Sequence, residues 1–156
     1  MQKCEICLMT TKEEMDERGY VHWKSWHETY SDLMPRDYLD GVTLEKCVQT
    51  ARRFPQNTLL LKVDNKVVGF SCVFKGTEGI NEIVAIYLLK EYHGKKWGYE
   101  LMKHTFSELV DSHKIILWVL KGNDRAISFY KKFGFNFNGI ERELPFGVEL
   151  QMEMNI

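Results

Sequence analysis

The sequence predicts a mixed α/β fold, a single domain over residues 1–156 with a central sheet of about seven strands flanked by about four helices. Three observations predict it. Apolar periodicity switches between the two-residue repeat of strands and the 3,4 repeat of helices, in the order β-α-α-β-β-β-α-β-α-β-β. The stretch Glu82–Leu89 (EIVAIYLL) is almost continuously apolar, as expected of a strand central in its sheet. A chain of 156 residues with 44% hydrophobic content can bury one sizeable core without covalent staples.

Residues 6–9 read as a short first strand. Thr10 and Thr11 precede Glu13 and Glu14 by three residues, so either pairing makes a capping box that opens a helix. Met15, Gly19, His22 and Trp26 then share one helix face, with Trp23 beside it. The aromatic concentration continues to His27 and Tyr30 and admits two readings, core packing or the wall of a substrate site. Residues 31–41 (SDLMPRDYLDG) read as an irregular connection, because Pro35 and Gly41 interrupt helical continuation. Thr43 caps a helix whose Leu44, Cys47, Val48, Ala51 and Phe54 form one stripe, ended by Pro55.

Residues 58–63 and 67–74 are β-rich runs joined by Asp64, Asn65 and Lys66, a hairpin pattern. After the KGTEG turn comes the apolar strand, whose one charged residue, Glu82, stands at its start. The helix from Trp97 presents Leu101, Met102, Thr105, Phe106, Leu109 and Val110 to the sheet. Residues 115–120 (IILWVL) form a fifth strand. Asn123 caps a helix containing Ala126, Ile127, Phe129, Tyr130 and Phe133, stopped by Gly134. Residues 135–140 and 148–154 alternate as a last hairpin around Pro145 and Gly147.

The net charge of −1, from 21 basic and 22 acidic residues, leaves no general electrostatic footprint for nucleic acid or an anionic membrane. No apolar run reaches membrane-spanning length, and MQKCEICLMT lacks the long apolar segment of a signal peptide, so a cytoplasmic protein is expected. Cys4 and Cys7 form a CxxC with no second pair to complete a zinc site, and the histidines are dispersed. We expect reduced thiols, with Cys47 and Cys72 as ordinary ones, and no metal.

The residues YLLKEYHGKKWGYELM, 87–102, join a strand to a helix through a short basic turn. Such a turn aims unpaired N–H groups and the positive end of the helix dipole at one spot, an anion cradle of diphosphate size. His93, Lys95 and Lys96 add positive or potentially positive groups. Gly94 and Gly98 allow close backbone approach.

Two segments carry a resemblance. EYHGKKWGYELM is similar to the pyrophosphate motif wording EYRGKGIGSALL of the GCN5-related N-acetyltransferase (GNAT) superfamily, with His93 in place of Arg and Lys96 in place of the first motif glycine. NDRAISFYKKFGF resembles the same superfamily's N-x-x-A-x-x-F-Y-x-x-x-G-F, through Asn123, Ala126, Phe129, Tyr130, Gly134 and Phe135. The resemblance implies a mostly antiparallel GNAT sheet and acetyl transfer from acetyl-CoA to a primary amine by direct attack.

It further implies that Ile86, Tyr87 and Leu88 pair with the pantetheine arm and offer oxyanion donors. His93, Gly94, Lys95, Lys96, Trp97, Gly98 and Tyr99 hold the pyrophosphate, and Asn123, Ala126, Phe129 and Tyr130 complete the coenzyme site. Tyr130 is the implied acid for the departing thiolate. Glu82, sixteen residues before Gly98, is the implied base, with a strand-edge residue in solvent as the alternative. A second family position for a base falls on Trp118 and is absent. The acceptor site is expected to include Trp26, Tyr30 and Glu82. Glu28, Asp32, Asp37, Asp40, Glu141 and Glu143 suit a small cationic amine such as a polyamine. A peptide or protein amine and a silent acyl-CoA-binding domain are the alternatives, as a monomer or homodimer. A P-loop nucleotide site is excluded by the lack of GxxxxGK[ST].

Overall fold

The fold is a computed structural model that describes residues 2–156. Strand β1, Cys4–Leu8, begins two residues earlier than the sequence pattern indicates. Helix α1, Lys12–Tyr30, opens on the Thr11–Glu14 pairing: Glu14 N–H donates to Thr11 Oγ1 at 3.1 Å, and Thr11 N–H donates to Glu14 Oε1 at 2.9 Å. Gly19 is on this helix because a Cβ there would lie 2.6 Å from Val48 Cα, so only glycine lets the next long helix pack this closely. The expected irregular link holds a single-turn helix, α2, Arg36–Asp40. Pro35 and Gly41 do interrupt helix, but as its two boundary residues, which makes five α-helices rather than four.

Helix α3, Leu44–Arg53, is capped by Thr43, whose Oγ1 accepts from Lys46 N–H at 3.2 Å. Its buried stripe is narrower than expected. Cys47 and Ala51 are buried, whereas Leu44 and Phe54, one at each end, are exposed. Strands β2, Thr58–Val63, and β3, Lys66–Lys75, join through Asp64 and Asn65, both at positive φ (50° and 69°), as a tight hairpin of this handedness requires. Then come β4, Ile80–Leu88, a 3₁₀ turn at Lys90–Tyr92, and α4, Trp97–Ser107. Because α4 ends before Val110, that side chain is exposed instead of facing the sheet. The chain closes with β5, Lys114–Leu120; α5, Asp124–Lys132; β6, Asn136–Leu144; and β7, Gly147–Asn155.

The seven strands form one sheet in the order β1-β2-β3-β4-β5-β7-β6, with β4 at its centre. All neighbours are antiparallel except β4 and β5. That parallel pair is brief, running only from Ile80↔Lys114 to Ile83↔Leu117. One apolar cluster joins α1 to β2, β3 and Leu101 of α4; another joins β5, β7, Met102 and α5. The two clusters flank the place where β4 and β5 part.

Candidate active site

The site begins with that parting. In the β3–β4 ladder Cys72 faces Ala85 and Val73 faces Ile83, so Val84 is the extra residue of a bulge. A bulge bends its strand and ends regular pairing. Beyond it, β4 and β5 diverge around a cleft of about 950 Å³, lined on one side by Val84–Leu88 and on the other by Trp118–Leu120 and α5. The β4 edge facing the cleft has no strand partner past Ile83, so its peptide groups are available to an extended ligand.

One end of the cleft is the turn into α4. Lys96, its N-cap, has φ 66° and ψ 3°, the left-handed conformation, and offers no side-chain cap. The backbone N–H groups of Trp97, Gly98 and Tyr99 make no hydrogen bond within the described chain. Unpaired donors at the start of an eleven-residue helix suit an anion. Gly94 (φ 80°) has no atom within 4 Å of a Cβ position, so the backbone is bare there.

The side chains at this end differ from the sequence expectation. His93 Nε2 donates to the Leu88 carbonyl at 2.8 Å, which leaves Nδ1 as the acceptor for the Arg125 guanidinium. Burial lowers the His93 pKa, the Leu88 carbonyl raises it, and Arg125 lowers it further. The imidazole is therefore a neutral bracket, and Arg125, which sequence reasoning missed, joins Lys96 as a cation at this end. Its signal was present, since it lies two residues after Asn123 in the second motif. Gly94, Lys96, Gly98 and Tyr99 line the cleft. Lys95 and Trp97 do not: Trp97 packs into the core beside Tyr92, and the Lys95 ammonium lies 5.4 Å over the Trp97 ring.

At mid-cleft, Tyr130 of α5 and Tyr87 of β4 approach from opposite walls, and the Tyr87 and Tyr30 hydroxyls lie 3.4 Å apart. Burial, then neighbouring Tyr87, hold the Tyr130 pKa well above that of free phenol, so it stays protonated at neutral pH. Asn123 is nearly buried and caps α5, its Oδ1 accepting from Ala126 N–H at 3.4 Å; Ala126 and Phe129 complete this wall. Ile86 and Leu88 lie on the opposing β4 edge.

The far end lies on the α1 side of the sheet. Register places Glu82 beside Ile116, Leu120 beside Glu149, and Glu149 beside Arg142, so Glu82, Trp118, Glu149 and Arg142 project from one face. Trp26, Tyr30, Met34 and Phe146 cover them. Glu82 is half-buried, and desolvation raises its pKa against the lowering effect of Arg142, with Glu149 adding to the rise. Arg142 Nε and Nη2 both donate to Glu149 Oε1, at 2.9 and 2.7 Å, while the guanidinium carbon lies 4.1 Å over Trp118. Arg142, Glu149 and Phe146 were absent from the expected site because only the register of β7 beside β5 brings them there, and Trp118, on β5 itself, entered the expectation only as a position without a base. Of the expected acceptor group, Trp26, Tyr30 and Glu82 line the cleft together with Glu28, whereas Asp32, Asp37, Asp40, Glu141 and Glu143 lie outside its lining. Among the described residues no group of three or more His, Cys, Asp or Glu is placed to hold a metal, and no helix is long and apolar enough to cross a membrane.

Comparison with known proteins agrees with this geometry. The acetyltransferase (GNAT) family model matches residues 19–135. An uncharacterized N-acetyltransferase of Mycobacterium tuberculosis is 32% identical over 83 residues, 52% of this chain and 53% of the relative, so the match spans about half the length of that relative. A probable spermine N(1)-acetyltransferase of Bacillus subtilis subsp. natto is 36% identical over 69 residues, covering 42% of this chain and 43% of its own. The fold superimposes on the PaiA N-acetyltransferase of Thermoplasma acidophilum, solved in complex with coenzyme A, with TM-score 0.82 and 24% identity over 99% of both chains.

Proposed function

The chain belongs to the GNAT family of acetyltransferases, and from that membership we propose that it transfers the acetyl group of acetyl-CoA to a primary amine of a small cationic molecule. The observation that carries this reading is the cleft itself. A free strand edge runs from a helix N-terminus with unpaired N–H groups to a half-buried carboxylate, with a protonated tyrosine between them.

Acetyl-CoA supplies the acetyl group as an activated thioester. The residues placed to hold it are the α4 N-terminal amides and Arg125 for phosphate, and the Ile86–Leu88 edge for the amide-bearing arm. An alkylammonium near pKa 10.4 costs about 4–5 kcal/mol to deprotonate at pH 7, so the acceptor needs a base. Glu82 fills that role, directly or through water, and its raised pKa makes it a stronger base than a free carboxylate. As the C–N bond forms, β4 amides stabilise the oxyanion. As the C–S bond breaks, Tyr130 donates its proton to the thiolate. A phenol with a raised pKa is a weak acid, but burial also raises the basicity of the sulfur it serves.

The cationic class of acceptor is supported by the excess of carboxylate over cation at the far end and by the aromatic cover. The spermine acetyltransferase among the relatives is consistent with it. The test is thiol release from acetyl-CoA against polyamines, simple alkyl amines, amino acids and peptides. Turnover of alkyl amines or polyamines is the expected result, and turnover of peptides alone overturns the acceptor class. Tyr130→Phe should lower kcat by about 10²-fold while changing acetyl-CoA affinity far less; an unaltered kcat removes Tyr130 as the acid.

A further inference from the structure

The Arg142–Trp118–Glu149 arrangement is more than a cross-strand ion pair. Arg142 and Glu149 are register partners on β6 and β7, so a pairing between them is expected wherever they point. Here they point into the acceptor end of the cleft. The guanidinium lies on the Trp118 ring at 4.1 Å and binds only Oε1 of Glu149, while Oε2 makes no hydrogen bond in the described chain. An aromatic face and a carboxylate therefore already hold one cation beside the proposed base. That cation is open to solvent on one side. The Arg142 side chain is 46% exposed on an edge strand, whereas the Glu149 side chain is 16% exposed. Water reaches the guanidinium side of the pair, so salt screens it and a second cation can compete for the carboxylate.

Resting on the acetyltransferase reading above, we infer that Trp118 and Glu149 form a second cation subsite, which Arg142 contests and which selects acceptors carrying a second positive charge. The reacting amine stands at Glu82 and the distal ammonium lies over Trp118 against Glu149. The acceptor class is then an α,ω-diamine or polyamine rather than a monoamine, and Arg142 sets how strongly the two are distinguished.

Charge arithmetic gives the test a sign that mere loosening of the structure cannot imitate. The readout is the ratio of kcat/KM for putrescine, cadaverine and spermidine to that for n-butylamine, at low and high salt. Arg142→Gln leaves the carboxylate uncontested and should raise the ratio roughly tenfold. Glu149→Gln removes the carboxylate and leaves the guanidinium, and should lower it roughly tenfold. The Arg142→Gln/Glu149→Gln double variant should return toward the parent value, and all differences should shrink at high salt. A ratio that falls in both single variants, or stays flat in all three, overturns the subsite while leaving amine acetylation standing. Failure of the parent protein to acetylate any amine, despite binding acetyl-CoA, overturns the acetyltransferase reading and this inference with it.

Discussion

At the residue scale, Lys96 is where sequence and backbone disagree most instructively. The motif comparison puts a glycine at this position, and the structure shows why, since φ 66° and ψ 3° is a conformation that L-residues adopt at a cost of about 1–2 kcal/mol. The lysine keeps the turn and carries the strain. Replacing it with glycine relieves that strain, partly offset by the greater freedom of glycine in the unfolded chain. Lys96→Gly should therefore stabilise by about 0.5–1 kcal/mol, raising Tm by about 1–4 °C in a scanning calorimeter. A fall in Tm would show that the lysine side chain holds the turn. The motif positions could be read from the sequence, because a turn of fixed length into a helix determines them. The roles of their side chains could not. His93 reads as a potential cation until the Leu88 carbonyl and Arg125 are seen on its two ring nitrogens.

At the scale of elements, α1 shows which features periodicity can and cannot deliver. Its capping box and its Met15–Gly19–His22–Trp26 face are legible because they obey local rules, but the face divides: Met15 and His22 meet the sheet, Gly19 meets α3, and Trp26 packs on Tyr30 and Phe146. Periodicity does not announce that Arg18 is buried on the same side, its guanidinium carbon 4.4 Å over Phe70, nor what this does to His22 one turn on. His22 stacks on Tyr87, and burial, reinforced by the Arg18 charge, lowers its pKa from 6.5 to about 4. The folded state thus holds His22 neutral where the unfolded chain would protonate it. The stability this confers is intact above pH 6.5, declines as pH falls, and is lost by about pH 4, some 3 kcal/mol in all. His93, also lowered, contributes with the same sign. Glu14, held at about 2 first by the Lys62 ammonium, loses its contribution only below the ordinary carboxylate range. Urea unfolding from pH 7 to 4.5 should show a steep loss in the parent and a shallower one in His22→Phe, which keeps the aromatic packing. Identical slopes would remove His22 as a source.

At the scale of the whole molecule, the least legible feature is the one that makes the site. The strands could be counted from their patterns, and the last two read correctly as a hairpin. No local signal places β7 between β5 and β6, or ends the β4–β5 ladder after Ile83↔Leu117, because both depend on pairings between segments distant in sequence. The result is a sheet whose halves meet along a short parallel ladder and around a cleft, with separate apolar clusters on either side. A ligand bound as proposed, paired with the free β4 edge and touching α5 across the gap, would add its binding energy to the cohesion of the sheet. Saturation at a hundredfold over Kd stabilises by about 2.7 kcal/mol, which for a chain of this size is about 5–10 °C in Tm. Acetyl-CoA and CoA should both give a shift of this order. Exchange of the Val84–Leu88 amides should slow, and the β1–β2 amides, far from the cleft, should change least. Absence of any shift at millimolar acetyl-CoA would sink the coenzyme assignment. A shift without protection of the Val84–Leu88 amides would retain binding but move the pantetheine arm away from the β4 edge, and with it the oxyanion donors assigned to that strand.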